Sequence, residues 1–366
     1  MENFLKQLNL HELEGFRFLR SLSGGEMAAV ALYEAIEPST TRVGQGGAVR
    51  PEKVVVKFLI APRWQLDLEA FRREAETLLM MRKHTGSHTI VKALTTVRSS
   101  AVYPVHYFIM EYVEGDTFLS KFEESPAPWE PKIALDYLRR IATALLPAAG
   151  FAEIHRDLHA GNIMIVKPTY ISSENLLMER DPGIRILDFG TSRNWLSTPQ
   201  SSWQEDRFRH CGAVSAWSPE FLADPADVDS KHDIWAIGTL FYRMITGEHA
   251  FPAEIFKDYY DSACSGNYAK QALEDVPPEV SKLIAGMFKV SRRERLSLAG
   301  VFKIANDILE HDLGRWLDAH PVLQELYFMV EGNIWKCSLC NAIGNPAPDG
   351  RCRSCKRVIE DFQLPF

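Results

Sequence analysis

Long apolar runs are what this sequence most plainly lacks. No stretch approaches 18 consecutive apolar residues, so no membrane-spanning helix is expected. The opening MENFLKQLNLHELEG has no basic segment followed by an apolar one, and no secretory leader is read there. An excess of one charge is missing too. Lys plus Arg number 41 and Asp plus Glu 48, a net charge of −7, which excludes a chain-wide nucleic-acid or anionic-membrane surface and leaves only local contacts. Cysteine is scarce: six in 366 residues, four of them between 337 and 355, with Cys211 and Cys264 standing alone. A secreted disulfide framework spreads its cysteines, so this pattern suits a reducing, cytoplasmic setting with one metal site. Repeats and low-complexity tracts are not found.

What is there suffices for one large domain or two ordinary ones, with a sizeable core. Residues 16–60 carry alternating and β-branched runs, FRFLRSLS, AAVALYEAI and KVVVKFLI, broken by glycine-rich turns, which predicts three strands. QLDLEAFRREAETLLMMRK (65–83) has helical apolar spacing at 68, 71, 75, 78 and 79. VHYFIMEYV reads as a further strand. From about 131 the helical pattern takes over, in PKIALDYLRRIATALLPAAG, DIWAIGTLFYRMITG, PPEVSKLIAGMF and SLAGVFKIANDILEHDL. The expectation is an α+β chain, a small strand-rich lobe followed by a larger helical one, with a cleft at their junction.

Chemistry concentrates in a few short stretches. SLSGGEMAAV (21–30) places two glycines between strands, which serves a hairpin turn as readily as a phosphate cradle. Lys57 ends the apolar run VVVK and Glu74 follows on the helical stretch; either both are solvated, or the carboxylate reaches back to pair the stranded ammonium. HRDLHAGN offers Asp157 and Asn162, and ILDFG offers Asp188 after another short strand. A carboxylate can orient a hydroxyl and accept its proton. An asparagine and a second carboxylate are the hard oxygen ligands that a phosphate-bound magnesium takes. Lys57 supplies a point charge to phosphates.

Over residues 15–312 these segments, in this order, resemble the eukaryotic-type protein kinase family. The resemblance implies a bilobal protein-kinase-like fold, an N-lobe over about 15–112 and a C-lobe over about 113–312, with ATP and Mg2+ as cofactors and a protein as substrate. It implies that Ser23, Gly24, Gly25 and Val30 belong to the glycine-rich loop. Lys57 is then the phosphate lysine and Glu74 its helix partner, and Val55 roofs the adenine site. Met110 stands at the gatekeeper position, Glu111 and Val113 in the hinge, and Met164 on the pocket floor. Asp157 is the catalytic base, while Asn162 and Asp188 hold magnesium. SPE (218–220) and DIWAIG (233–238) match two further family segments, and Arg295 sits where the family places a partner for Glu220.

Departures from the family pattern accompany the match. The loop reads S-x-G-x-x-A, with side chains at Ser23 and Ala28 where backbone approaches phosphate. Valine replaces the usual alanine at Val55. His159 takes the place of a lysine that bridges the γ-phosphate and the base; an imidazole can donate there but lacks the fixed charge, and plain space-filling is the other reading. Ala213 replaces a threonine whose hydroxyl ties its segment to the catalytic aspartate. Arg156, beside Asp157, offers a dock for a phosphate on Thr191, Ser192, Ser197, Thr198, Ser201 or Ser202; a loop without regulation is the alternative.

WKCSLCNAIGNPAPDGRCRSC places two C-x2-C pairs eleven residues apart. Four thiolates from Cys337, Cys340, Cys352 and Cys355 can close a tetrahedral Zn2+ shell, so 334–358 reads as a zinc ribbon and 313–333 as a linker. Trp335 and Asn345 make it similar to a RanBP2-type finger, a class whose members bind single-stranded RNA or ubiquitin. A ribbon that makes protein contacts is the plainer reading. The function read from all this is an ATP- and Mg-dependent protein kinase acting on a protein hydroxyl, serine or threonine favoured, with the ribbon for recruitment or regulation. A pseudokinase scaffold and a small-molecule phosphotransferase are the competing readings.

Overall fold

Alternation within KVVVKFLI separates two apolar clusters. Val55 and Leu59 join one and Val54, Val56 and Phe58 join the other, as the period of two in a strand requires. Lys57 falls in phase with Val55 and Leu59. The structure, a computed structural model, describes Leu5 and residues 10–24, 28–36, 51–60, 65–85, 89–99, 105–125, 128–166, 183–194 and 213–318. Gly25, the insert 167–182, the stretch 195–212 and the four paired cysteines with the ribbon around them lie outside the described residues.

Six strands form an antiparallel sheet: β1 (Glu12–Leu13), β2 (Phe16–Gly24), β3 (Ala28–Ala35), β4 (Lys53–Ile60), β5 (Arg98–Ser99) and β6 (Val105–Glu111). Their spatial order is β1-β2-β3-β4-β6-β5. Register sets Val30 opposite Lys57 and Val55 opposite Met110. Helix α1 (Gln65–Thr85) buries Phe71, Ala75 and Leu78 against one face, with Phe71 and Phe108 ring centroids 5.0 Å apart. Glu74 lies between those buried positions, so α1 delivers it beneath the sheet. The opposite face carries an aromatic row, Phe18, Tyr33, Phe58 and Tyr107, with successive centroids 5.9, 6.3 and 6.1 Å apart.

The helical lobe comprises α2 (Phe118–Glu124), α3 (Pro131–Gly150), α4 (Pro219–Ala223), α5 (Lys231–Thr246), α6 (Phe256–Ser265), α7 (Pro278–Met287) and α8 (Leu298–Asp318). Helix α3 buries Leu135, Leu138, Ile141, Ala142 and Leu145 along one stripe, the spacing of a core-facing helix. Gly247, at φ 76°, ends α5 in the left-handed conformation that glycine adopts without penalty. Helix α8 continues through Asp318, into the stretch read as a linker from 313. The apolar spacing of Leu309, Leu313, Trp316 and Leu317 continues the helical period there. Among the described residues no helix is long and apolar enough to cross a membrane.

Two small sheets frame the junction. β7 (Gly115–Thr117), β9 (Ile163–Val166) and β10 (Ile184–Ile186) pair in the order β10-β9-β7, and β8 (Glu153–Ile154) pairs with β11 (Arg193–Asn194). HRDLHAGN is therefore the loop from β8 to β9, and Asp188 follows β10. The Leu187 N–H donates to the Asn162 carbonyl at 2.9 Å, which fastens the two loops together.

Candidate active site

Lys57 is buried at 7% exposure and Glu74 at 2%, so their charges must be compensated locally. They compensate each other. The Lys57 Nζ donates to Glu74 Oε1 at 2.7 Å and Oε2 at 2.9 Å, and to Asp188 Oδ1 at 2.9 Å. One ammonium thus serves two carboxylates from distant parts of the chain. Burial works against the lysine's charge, but Glu74 and Asp188 outweigh it and hold its pKa above the ordinary range. Partial burial would raise the Asp188 carboxyl, yet Lys57 and the Gly190 N–H (3.1 Å) bring it down to about 2. Burial dominates at Glu74, which stands at about 7 despite the lysine. Gly190 permits this closeness: a Cβ there would lie 3.0 Å from Asp188 Oδ1 and 3.2 Å from Glu74 Oε2.

Asp157 sits on the neighbouring loop. Its Oδ2 accepts from Asn162 Nδ2 at 3.2 Å, and the same nitrogen donates to the Asp157 carbonyl at 2.9 Å. Its Oδ1 accepts the Ala213 backbone N–H at 3.3 Å. That last contact answers the missing threonine hydroxyl at position 213, because the main chain ties the segment to the aspartate instead. Burial pushes the Asp157 carboxyl up to about 6, against the opposing pull of His159 and the two donors. With its amide nitrogen engaged, Asn162 has its side-chain oxygen as a hard ligand, and Asp188 supplies another.

His159 has a defined role for each ring nitrogen. The Gly161 N–H donates to Nδ1 at 3.0 Å, so the neutral ring carries its proton on Nε2, 3.5 Å from Asp157 Oδ1. Gly161 makes room for this, since a Cβ there would meet the His159 Cε1 at 2.9 Å.

Residues to which the sequence assigned no role at the site hold this loop in place. Asp233, at the start of α5, accepts the backbone N–H groups of His155 (2.8 Å) and Arg156 (3.0 Å). The imidazole of His155, whose pKa burial lowers to about 4, donates from Nε2 to the Leu187 carbonyl at 2.7 Å. Arg156 and Asp188 adopt φ of 69° and 54°, strained backbone of the sort that collects at functional sites. Arg156 is 1% exposed, its guanidinium 5.7 Å from the centre of the Phe221 ring, so it is packed inside rather than open to a docking phosphate. Two of the proposed phosphate acceptors also differ from expectation: Ser192 is buried, and the Thr191 hydroxyl donates to the His155 carbonyl at 2.9 Å.

Apolar walls complete the site. Val30 and Val55 lie on adjacent strands, Met110 is buried opposite Val55, and Glu111 accepts the Lys92 N–H at 3.0 Å. Val113 packs on the core, while Met164, in β9 opposite Thr117, is half-buried. Ser23 and Gly24 end β2, beside the undescribed Gly25. Among the described residues no cluster of three or more His, Cys, Asp or Glu forms a metal cage. A phosphate-bound magnesium needs none, because it takes one or two protein ligands and fills the rest with phosphate and water.

Residues 47–313 match the family described as the protein kinase domain. This is well over half of the chain, and the chain belongs to that family. The match begins after the glycine-rich segment. Among curated proteins, the chain is similar to an Aurora kinase of Candida glabrata, 29% identical over 198 residues (53% of this chain, 48% of that protein). It is similar to CBL-interacting serine/threonine-protein kinase 20 of Arabidopsis thaliana, 27% identical over 199 residues (54% and 40%). It is also similar to serine/threonine-protein kinase pkn2 of Myxococcus xanthus, 27% identical over 281 residues (76% and 29%). The matched stretches span less than half the length of each of these relatives.

Proposed function

We propose that this chain is an ATP- and magnesium-dependent protein kinase that phosphorylates serine or threonine hydroxyls, with a C-terminal zinc ribbon for recruitment or regulation. The observation that carries the reading is the closed pair of Lys57 with Glu74, together with the contact from Lys57 to Asp188. It supports phosphoryl transfer because that chemistry needs positioned charge more than covalent help. Magnesium, when bound, neutralises charge developing on the phosphates. Asn162 and Asp188 are the residues fit to hold it. Lys57 orients the phosphates, and Asp157 takes the proton of the attacking hydroxyl. Val30, Val55, Met110, Val113 and Met164 exclude water around the base of the nucleotide. A serine/threonine preference rests on the names of the relatives. Incubation with labelled ATP, followed by phosphoamino-acid analysis of a mixed protein substrate, tests the reading. Labelled phosphoserine or phosphothreonine is expected; nucleotide binding with no transfer to any hydroxyl would make the chain a pseudokinase.

His159 acts in this scheme as an Nε2 donor beside the base. Removing one such donor lowers turnover by about 10²–10³-fold, and His159→Ala is expected to fall toward that range. His159→Lys should preserve or raise activity, whereas His159→Gln, of similar shape, should lie between. Equal kcat for all three variants would reduce the ring to packing.

For the ribbon, the supporting feature is the donor set itself, four cysteines in two C-x2-C pairs. Metal analysis of reduced protein is expected to give about one zinc per chain, lost when Cys337 and Cys340 are replaced by serine. Kinase activity on a generic substrate should persist in that variant. A metal-free protein with a Cys337–Cys340 disulfide would remove the ribbon from the scheme. Its partner is read as protein, with single-stranded RNA or ubiquitin as the class-based alternatives.

A further inference from the structure

Beside the catalytic loop, an open cleft of about 50 Å³ is lined by residues that include His159, Ser215, Thr239, Arg243, His249 and Phe251. Three of these are basic and none of the lining residues is acidic. Arg243, on the last turn of α5, is half-buried, and its guanidinium lies 4.4 Å from the centre of the Phe122 ring. That ring orients the guanidinium and offers a weak partner. Among the described residues no carboxylate pairs with it. The His249 imidazole is held below its ordinary pKa by burial and by the charge of Arg243, so Arg243 is the fixed charge of the cleft and His249 a neutral hydrogen-bonding neighbour.

Arg243 is half-buried at a cleft whose lining holds no acid, and the planar donors of a guanidinium match a carboxylate. Location narrows the ligand further. His159 belongs to both sites: its Nε2 lies 3.5 Å from Asp157 Oδ1, and its ring forms part of the cleft wall. A peptide whose hydroxyl meets Asp157 therefore passes the cleft, advancing at most about 3.5 Å per residue. We propose that the cleft is a selectivity subsite that takes the carboxylate of an aspartate or glutamate near the acceptor hydroxyl of the protein substrate, with Arg243 as its charge partner. The subsite rests on the protein-kinase reading above and supplies its substrate class.

The test uses the full chain and peptides with a single acceptor, identical except for Glu, Gln or Lys walked through the flanking positions. At one position the Glu peptide should exceed its Gln counterpart about tenfold in kcat/KM, the scale of a charge-assisted hydrogen bond, with the Lys peptide lowest. Arg243→Gln should erase the difference through KM, His249→Gln should reduce it, and Arg243→Glu should turn the preference toward Lys. Equal kcat/KM for the three peptides at every position overturns the proposal, as does a preference for Glu that survives Arg243→Gln. The peptide series on the unaltered protein decides the question even where a variant does not fold. Absence of transfer to any peptide would be a failure of the kinase reading instead. Peptide binding, followed by fluorescence anisotropy, then still tests the cleft: Glu should bind more tightly than Gln, and equal binding would overturn it.

Discussion

Asp157→Asn is expected to lower kcat by about 10²–10⁴-fold, the contribution of a positioned general base, while nucleotide affinity stays close to wild type. The reason lies in the division of labour at the site. Lys57, Glu74 and Asp188 form one charge cluster. Asp157 is held separately, by Asn162 and the Ala213 N–H. An asparagine keeps the size and one acceptor oxygen but cannot take a proton. Asp188→Asn should behave in the opposite way, weakening magnesium-dependent nucleotide binding. The base also carries a pH signature. Its carboxyl stands at about 6 because it is buried, so it is ionised at neutral pH and protonated in mild acid. The kcat/KM of the wild type should therefore fall as pH drops through about 6, and the residual activity of Asp157→Asn should lack that limb. Wild-type turnover in the variant would remove Asp157 from its assigned role.

The groups in this argument differ in how visible they are in a sequence. Lys57 is conspicuous because an ammonium at the end of VVVK is costly unless paired or solvated, and the helical spacing of 65–83 shows a carboxylate that could reach it, but only the fold shows that Glu74 does. Asp157, Asn162 and Asp188 stand out as polar residues beside short apolar strands. Contacts made by the main chain leave no such trace. The tie from the Ala213 N–H to Asp157 is invisible because any residue except proline could make it, and the sequence shows only a lost hydroxyl. The proton position on His159 follows from the Gly161 N–H, which is equally silent. Asp233 is hidden for another reason. An acid in the first turn of a helix is ordinary dipole compensation, and only the fold shows that it clamps two amides of the catalytic loop. Arg156 misleads in the reverse direction, since an arginine beside a catalytic aspartate suggests an open anion dock and is instead packed against Phe221. Helix α3 was legible to its ends, PKIALDYLRRIATALLPAAG, even with Pro147 inside its last turn. The proline's missing N–H is tolerated there because the stripe of buried leucines and alanines outweighs one lost hydrogen bond.

The second large effect is expected in stability, at a pair far from the phosphates. Arg295 is 1% exposed and grips Glu220 with two bonds, Nη1 to Oε1 at 2.7 Å and Nη2 to Oε2 at 2.9 Å. Its other donors reach the carbonyls of Lys289 and Lys231 at 2.9 and 2.8 Å, and its guanidinium stacks 5.0 Å from the Trp235 ring centre. Arg295→Met leaves the Glu220 carboxylate buried without its cation, a loss of about 3–5 kcal/mol. At about 2–4 °C per kcal/mol for a domain of this size, thermal unfolding should move down by about 10 °C. Glu220→Gln in the same background should restore part of that loss, because both charges are then gone. Acid should narrow the gap between wild type and Glu220→Gln. Burial alone would raise the Glu220 pKa, but Arg295 outweighs it and holds the carboxyl below its ordinary value. The pair therefore stabilises the fold above the ordinary glutamate range and loses that contribution as pH falls through the lowered value. Equal unfolding temperatures for wild type and Arg295→Met would show that the pair contributes nothing. Activity should fall along with stability, since Glu220 anchors the segment whose first described residue, Ala213, donates to Asp157. The double variant then separates the two effects: stability returns in part, while turnover stays low because the anchor between α4 and the helical core is still absent.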